Sequence, residues 1–179
     1  PIWPTGPLYL FGLEWKEHSI AFLIEHSHRL AGYVVGILAI TLVALVHINP
    51  CRKNLKVLAY TILLAVIIQG LLGGFRVRLN AILGPNLALI HGSFASLVFS
   101  LMCSFVALSS PRWIVQTSLA DQKSAKIKKL ATLLAVLTLA QIFLGGFVRH
   151  LNSPIGARLH LLLAFGVFVV GTLVARQIR

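Results

Sequence analysis

Five long runs of apolar residues, separated by short polar segments, dominate the pattern of this chain. Each run is close to the roughly 20 residues that an α-helix needs to cross a bilayer. The pattern therefore predicts an all-α polytopic membrane protein. We expect spans over about residues 29–48, 57–75, 87–108 and 130–148, and a fifth after residue 156.

Composition and charge support the membrane class. Of the 179 residues, 58% are hydrophobic and 11% are charged, and the mean hydropathy is +0.89. Soluble domains carry about 25% charged residues. The net charge of +12 comes from basic residues at the ends of the apolar runs, and these residues do not form one solvated face. This distribution is typical of membrane proteins, so nucleic acid is not expected as a partner.

The lysines and arginines of the connecting segments predict an orientation. In a five-span topology, one side receives the basic residues of 52–56, of the 109–129 segment and of the C-terminal end. This set is larger than the set on the other side. Cytoplasmic segments carry the excess of basic residues. We therefore expect a multi-pass protein of a bacterial plasma membrane, with the first, third and fifth spans beginning at the outer face.

A sequence repeat indicates helical hairpins. Residues 69–80 and 141–152 share the pattern Q-x-x-L-G-G-F, then a basic patch, then L-N, and each copy is followed by a short loop and a new span. His91 and His160 stand in the opening turns of those spans, and His28 opens the first span in the same way. Repeats of this type are common in membrane folds.

The repeat predicts a larger architecture than five spans. We expect one further helix before Pro1 and one further hairpin after Arg179, giving eight helices in two pseudo-symmetric four-helix halves. The expected divisions are an N-terminal half-bundle over residues 1–108, a cytoplasmic linker over 109–129 and the start of a C-terminal half-bundle over 130–179.

Three histidines at one depth, on helices that run in the same direction, indicate heme ligation. Bis-imidazole ligation needs two histidines that face each other from different helices of a bundle. His28 and His91 would hold one heme iron, and His160 would be one axial ligand of a second. Arginines at the outer helix ends are candidates for pairing with the propionates. They are Arg29, Arg76 and Arg78 at the first site, and Arg149 and Arg158 at the second.

Each of these residues also has a structural interpretation. A histidine at a helix start often makes interfacial hydrogen bonds, and arginines can extend to lipid headgroups. The Gly-Gly pairs of the repeat are expected to be close-packing positions, and Gln69 and Gln141 to hydrogen-bond across helices. His150 could contact a propionate or replace a ligand. Loop or interface positions are expected for three other histidines, His18, His26 and His47.

Glu25 lacks an equivalent in the repeat. It precedes His28 by three positions, so the two share a helix face, whereas alanines stand three positions before His91 and His160. One interpretation is an ion pair with Arg29, one turn further on. The other is a base or charge stabiliser at the edge of a bound porphyrin.

The order of these motifs resembles the heme A synthase family. Glu25, His28 and Arg29 match the family's E-x-x-H-R pattern at the start of its second helix. The Q-G-x-L-G-G stretch at 69–74, the A-L-x-H stretch at 88–91 and the V-R-H stretch at 148–150 are also family-like, as is the W-P at residues 3–4. The resemblance covers nearly the whole chain.

The resemblance implies eight transmembrane helices and an activity. Family members oxidise the C8 methyl of heme O to the formyl group of heme A, by successive hydroxylations, for terminal oxidases. His28 and His91 would then flank the substrate heme, and Glu25 would be the catalytic carboxylate beside the methyl. His160 would ligate a heme b that passes electrons. Many members carry a cysteine pair in the first outer loop, and Gly6 stands about where the second would fall. This departure argues against thiol-dependent electron transfer.

Two rival functions remain open at this point. The same ligands could serve a di-heme electron-transfer membrane cytochrome, or the outer cluster could bind an anion in a transporter. Under the enzyme interpretation, the candidate partners are membrane lipid, a heme O synthase, a terminal oxidase and a second copy of the chain. The second heme site is incomplete within these 179 residues, so we expect the chain by itself to be inactive.

Overall fold

The computed structural model describes residues 20–111, 122–151 and 153–178. These ranges form helices and short turns, and no strand occurs within them. All five helices contain a segment long and apolar enough to cross a membrane. The prediction of an all-α polytopic membrane protein with five spans is therefore confirmed. The helices are α1 (Ile20–Ile48), α2 (Lys53–Leu83), α3 (Pro85–Ser109), α4 (Gln122–Leu151) and α5 (Pro154–Ile178).

The helices extend beyond the apolar runs that predicted them. The described part of α1 begins at Ile20, so residues 25–29 lie inside the helix and not at its start. Helix α2 continues through the basic patch of the repeat to Leu83, and α4 already begins at Gln122. Residues 122–129, which were expected in the linker, are thus helical. Lys, Arg and Gln are good helix formers, so a helix does not have to stop where its apolar run stops.

Short turns join consecutive helices. Gly84 alone separates α2 from α3, and its φ of 51° lies in the region that residues with a Cβ atom rarely adopt. Pro85 then occupies the first turn of α3, where the missing N–H is not needed. Before α5, the Ser153 hydroxyl accepts a hydrogen bond from the Gly156 N–H at 3.0 Å. Local sequence signals therefore set both helix starts.

Residue contacts divide the chain into two compact units, Pro1–Val77 and Arg78–Arg179. In the first unit, the buried residues of α2 include Leu55, Ala59 and Ile62, which follow the spacing of one helix face. In the second unit, α4 packs against both α3 and α5. The predicted division at the 109–129 segment remains a prediction.

Large apolar side chains cover the outside of the described helices. Examples are Ile37 on α1, Phe99 on α3 and Phe168 on α5, all of which are exposed. A soluble monomer rarely exposes contiguous apolar surface on this scale. Lipid is the solvent that these faces require.

Candidate functional site

The carboxylate of Glu25 is held by the next turn of α1. Arg29 Nη2 donates a hydrogen bond to Glu25 Oε1 at 2.5 Å, and the two groups form an ion pair. The Arg29 side chain is 16% exposed and that of Glu25 is 41% exposed. The ion pair expected as one interpretation of Glu25 is therefore present. It fixes the direction of the carboxylate and still leaves part of it accessible.

His28 lies on the same side of α1 as this ion pair. Residues three and four positions apart on a helix are neighbours, which places Glu25, His28 and Arg29 on one face. His28 itself is exposed. The structure thus brings the three residues of the E-x-x-H-R pattern together, as the sequence indicated.

His26 faces the other way and is buried. The residue is 5% exposed, and the centroid of its ring lies 3.9 Å from that of Phe22. Its Nδ1 donates a hydrogen bond to the Phe22 carbonyl oxygen at 3.2 Å. Two residues on a helix are separated by about 200°, so His26 points away from His28. The expectation of a loop or interface position for His26 was wrong. The signal in the sequence was the aromatic residue one turn earlier, on a helix that begins before His26.

His91 and His160 occupy the same register of their helices. Each stands six positions after the proline that begins its helix, Pro85 in α3 and Pro154 in α5. Both side chains are half-buried. The common register agrees with the repeated position that the sequence predicted. His28 belongs to the first compact unit and His91 to the second.

His160 is bound on both ring nitrogens by one residue of α4, Gln141. His160 Nδ1 lies 3.2 Å from the Gln141 backbone oxygen, and His160 Nε2 lies 3.3 Å from Gln141 Nε2. Gln141 Nε2 also donates to the His160 backbone oxygen at 3.0 Å. The expected cross-helix hydrogen bonding of Gln141 is therefore present, and its partner is a candidate heme ligand.

The Gly-Gly pair of α4 allows two neighbouring helices to approach closely. A Cβ atom at Gly145 would lie 3.2 Å from His160 Cε1, so the absence of a side chain makes room for the imidazole. A Cβ atom at Gly146 would collide with Leu89 Cδ1 of α3. The expectation that these glycines are close-packing positions is confirmed for this pair.

The His160 environment fits an axial heme ligand. A carbonyl oxygen can only accept, so Nδ1 carries the proton and Nε2 keeps its lone pair, which is the tautomer that binds iron through Nε2. No group of three or more metal-binding side chains occurs among the described residues. A heme iron needs only two axial side chains from the protein.

The other candidate residues lie at exposed or half-buried helix positions or outside the described part. Arg76, Arg149 and Arg158 are exposed, and His150 is half-buried in the last turn of α4. The side chain of Arg78 lies outside the described residues, as do Trp3, Pro4, Gly6 and His18. Contacts between the arginines and propionates remain a prediction.

Fold and site together define a multi-pass helical membrane protein with histidines six residues into two of its helices. The chain belongs to the COX15-CtaA family, described as cytochrome oxidase assembly protein, whose model matches residues 4–157. It is 29% identical over 157 residues to the heme A synthase of Symbiobacterium thermophilum, an alignment that covers 79% of this chain and 47% of that protein. The chain thus spans about half the length of this relative. No solved structure matches it significantly.

Proposed function

We propose that the protein oxidises the C8 methyl of heme O to the formyl group of heme A. The observation that carries the proposal is the Glu25–Arg29 ion pair on the face of α1 that also bears His28. The family and the similarity to a heme A synthase support the class of reaction. A carboxylate directed by a neighbouring arginine, beside a candidate axial ligand, is the arrangement that a positioned proton acceptor requires.

The histidines have separate roles in this proposal. Following the family resemblance, His28 and His91 would each be a ligand to the iron of the substrate heme, and His160 would be a ligand to a heme b that carries electrons. The irons, when bound, supply the redox chemistry. The protein's part is to present neutral imidazoles in a fixed orientation, and the 3.2 Å contact between His160 Nδ1 and the Gln141 carbonyl supports this for the second site.

Glu25 would accept a proton released as the methyl substituent is oxidised, while the electrons would pass through the hemes to an external electron acceptor. Arg29 lies one helical turn further on and holds one carboxylate oxygen, which leaves the second oxygen for the substrate. Arg29 is the less exposed of the two side chains, so the guanidinium is the more buried member of the pair. The propionates of the first heme would be neutralised by Arg29, Arg76 and Arg78, and those of the second by Arg149 and Arg158.

The cellular setting follows from the same proposal. The protein works in a bacterial plasma membrane, with both hemes toward the outer face. It receives heme O from a heme O synthase and delivers heme A to a terminal oxidase, and a second copy of the chain is a further candidate partner. The activity belongs to the full-length protein.

Substitution of Glu25 by glutamine tests the catalytic role. The exchange keeps the shape of the side chain and removes the charge. An i,i+4 ion pair contributes only about 0.3–0.5 kcal/mol to stability, so the variant should fold normally. We expect the full-length variant to retain heme and to lose heme A formation, measured by extracting and separating the hemes after expression with a heme O supply. Heme A at the normal rate would contradict the proposal.

A di-heme electron-transfer cytochrome is the second candidate function. The ion pair is compatible with this function as well, because a structural partnership with Arg29 is enough to account for Glu25. In that case Glu25→Gln changes neither the types of heme that the protein binds nor the reduction of those hemes. A purified full-length protein without heme in its pyridine hemochrome spectrum would contradict both functions.

A further inference from the structure

Gln141 contacts His160 with both its backbone and its side chain, and the function proposed above uses only the backbone contact. We infer that Gln141 is a positioning residue that holds His160 in the tautomer and orientation needed to bind a heme iron. The inference rests on the proposed function, because it takes His160 as an axial ligand. It adds a residue of α4 to a site whose ligand lies on α5.

The backbone contact determines the tautomer. The Gln141 carbonyl oxygen lies 3.2 Å from His160 Nδ1 and can only accept a hydrogen bond. The proton therefore stays on Nδ1, and Nε2 keeps the lone pair that an iron would take. A hydrogen bond from the remote ring nitrogen also fixes the ring plane and makes the ligand more basic.

The side-chain contacts determine the position of the ring relative to α4. Gln141 Nε2 lies 3.0 Å from the His160 backbone oxygen, where an amide oxygen would face another oxygen, so the amide nitrogen is the atom that fits there. The same nitrogen lies 3.3 Å from His160 Nε2. One lone pair cannot serve an amide and an iron together. When iron binds, the 3.0 Å bond from Gln141 Nε2 to the His160 backbone oxygen can persist. The 3.3 Å contact between Gln141 Nε2 and His160 Nε2 is the one that is lost.

Gly145 completes the arrangement from the same helix. It stands one turn after Gln141, and an added Cβ atom would lie 3.2 Å from His160 Cε1. Contacts this short force the neighbour to move by a few tenths of an ångström. The imidazole is thus held between the polar atoms of Gln141 and the bare backbone of Gly145, and two different substitutions can disturb one ligand.

The test uses the full-length protein in detergent and two matched pairs of variants. Gln141→Glu is nearly isosteric but replaces the donor by an acceptor, which favours a proton on Nε2, and Thr138→Val on the same helix is its control because Thr138 is exposed and bonds only its own helix. Gly145→Ala displaces the ring. Gly166→Ala is its control, because an added Cβ atom there has no neighbour within 4 Å.

Two measurements report on the ligand and not on packing alone: transfer of heme to apomyoglobin, and the low-spin electron paramagnetic resonance signal that His160→Ala removes. We expect Gln141→Glu and Gly145→Ala each to lower heme affinity at this site roughly tenfold or more and to shift that signal, with both controls at the wild-type value. Gln141→Met, which keeps the length without polar atoms, should shift the same signal and serves if the glutamate variant does not fold.

The outcomes separate the two proposals. If His160→Ala abolishes the signal while Gln141→Glu, Gln141→Met and Gly145→Ala retain wild-type affinity and signal, Gln141 is not a positioning residue and the ligand role of His160 stands. If His160→Ala leaves every low-spin signal intact, His160 is not a ligand, and the proposed second heme site fails together with this inference.

Discussion

The contact between Gly146 and Leu89 gives a quantitative prediction for the packing of α3 on α4. A methyl group at Gly146 would overlap Leu89 Cδ1, and Leu89 is only 5% exposed, so its side chain has little room to move away. Overpacking of this kind costs about 1–3 kcal/mol. Replacement of a helical glycine by alanine by itself raises the free energy of unfolding by about 0.5–1 kcal/mol. We therefore expect Gly146→Ala to lower the free energy of unfolding by roughly 1 kcal/mol.

The assay is reversible unfolding in mixed micelles, followed by circular dichroism. Gly70→Ala is the control, because an added Cβ atom there meets no neighbour within 4 Å, and it should be neutral or stabilising. Leu89→Ala alone should cost about 2–5 kcal/mol. In the double variant the new methyl occupies part of the space that Leu89 leaves, so the two changes should be coupled by at least about 0.5 kcal/mol. Additive effects, or a Gly146→Ala variant as stable as Gly70→Ala, would refute the close approach of α3 and α4.

Three further changes have expected outcomes. His26→Ala should lower the free energy of unfolding by about 2 kcal/mol or more, because the ring is buried, and should leave the heme content unchanged. His28→Ala should instead lose heme from the proposed N-terminal site. A heme spectrum of each variant shows whether the two differ in this way. Gly84→Ala should cost about 1–3 kcal/mol of backbone strain alone, since its added methyl has no neighbour within 4 Å, and an unchanged unfolding curve would contradict this. Ser153→Ala removes the acceptor for the Gly156 N–H and should cost about 1 kcal/mol, with Ser153→Asp retaining the stability as its control.

The five spans were predictable because length and apolar character determine them. The position of the histidines was predictable for a similar reason, since a repeated pattern places Pro85 and Pro154 six residues before His91 and His160. Helix ends were less predictable. Polar residues such as Gln122 can continue a helix beyond its apolar run, and hydropathy does not register them.

Contacts of the candidate site residues were predictable within one helix and not between helices. Sequence spacing alone gives the Glu25–Arg29 pair, because both lie on one helix. The burial of His26 depends on what packs around it. How α4 approaches two other helices determines the partner of Gln141 and the different neighbours of Gly145 and Gly146. No local pattern of residues encodes that approach.

If His160 binds heme as proposed, its connection to Gln141 would link heme supply to the lifetime of the protein. Because the His160 ring contacts Gln141 and so joins α4 to α5, a ligand on that ring would also stabilise the helix pair. A ligand present at a hundred times its dissociation constant adds about 2.7 kcal/mol to the folded state. Chains that acquire heme would then resist membrane proteases, and chains that do not would be degraded first. Cells short of heme would then lose this protein by turnover.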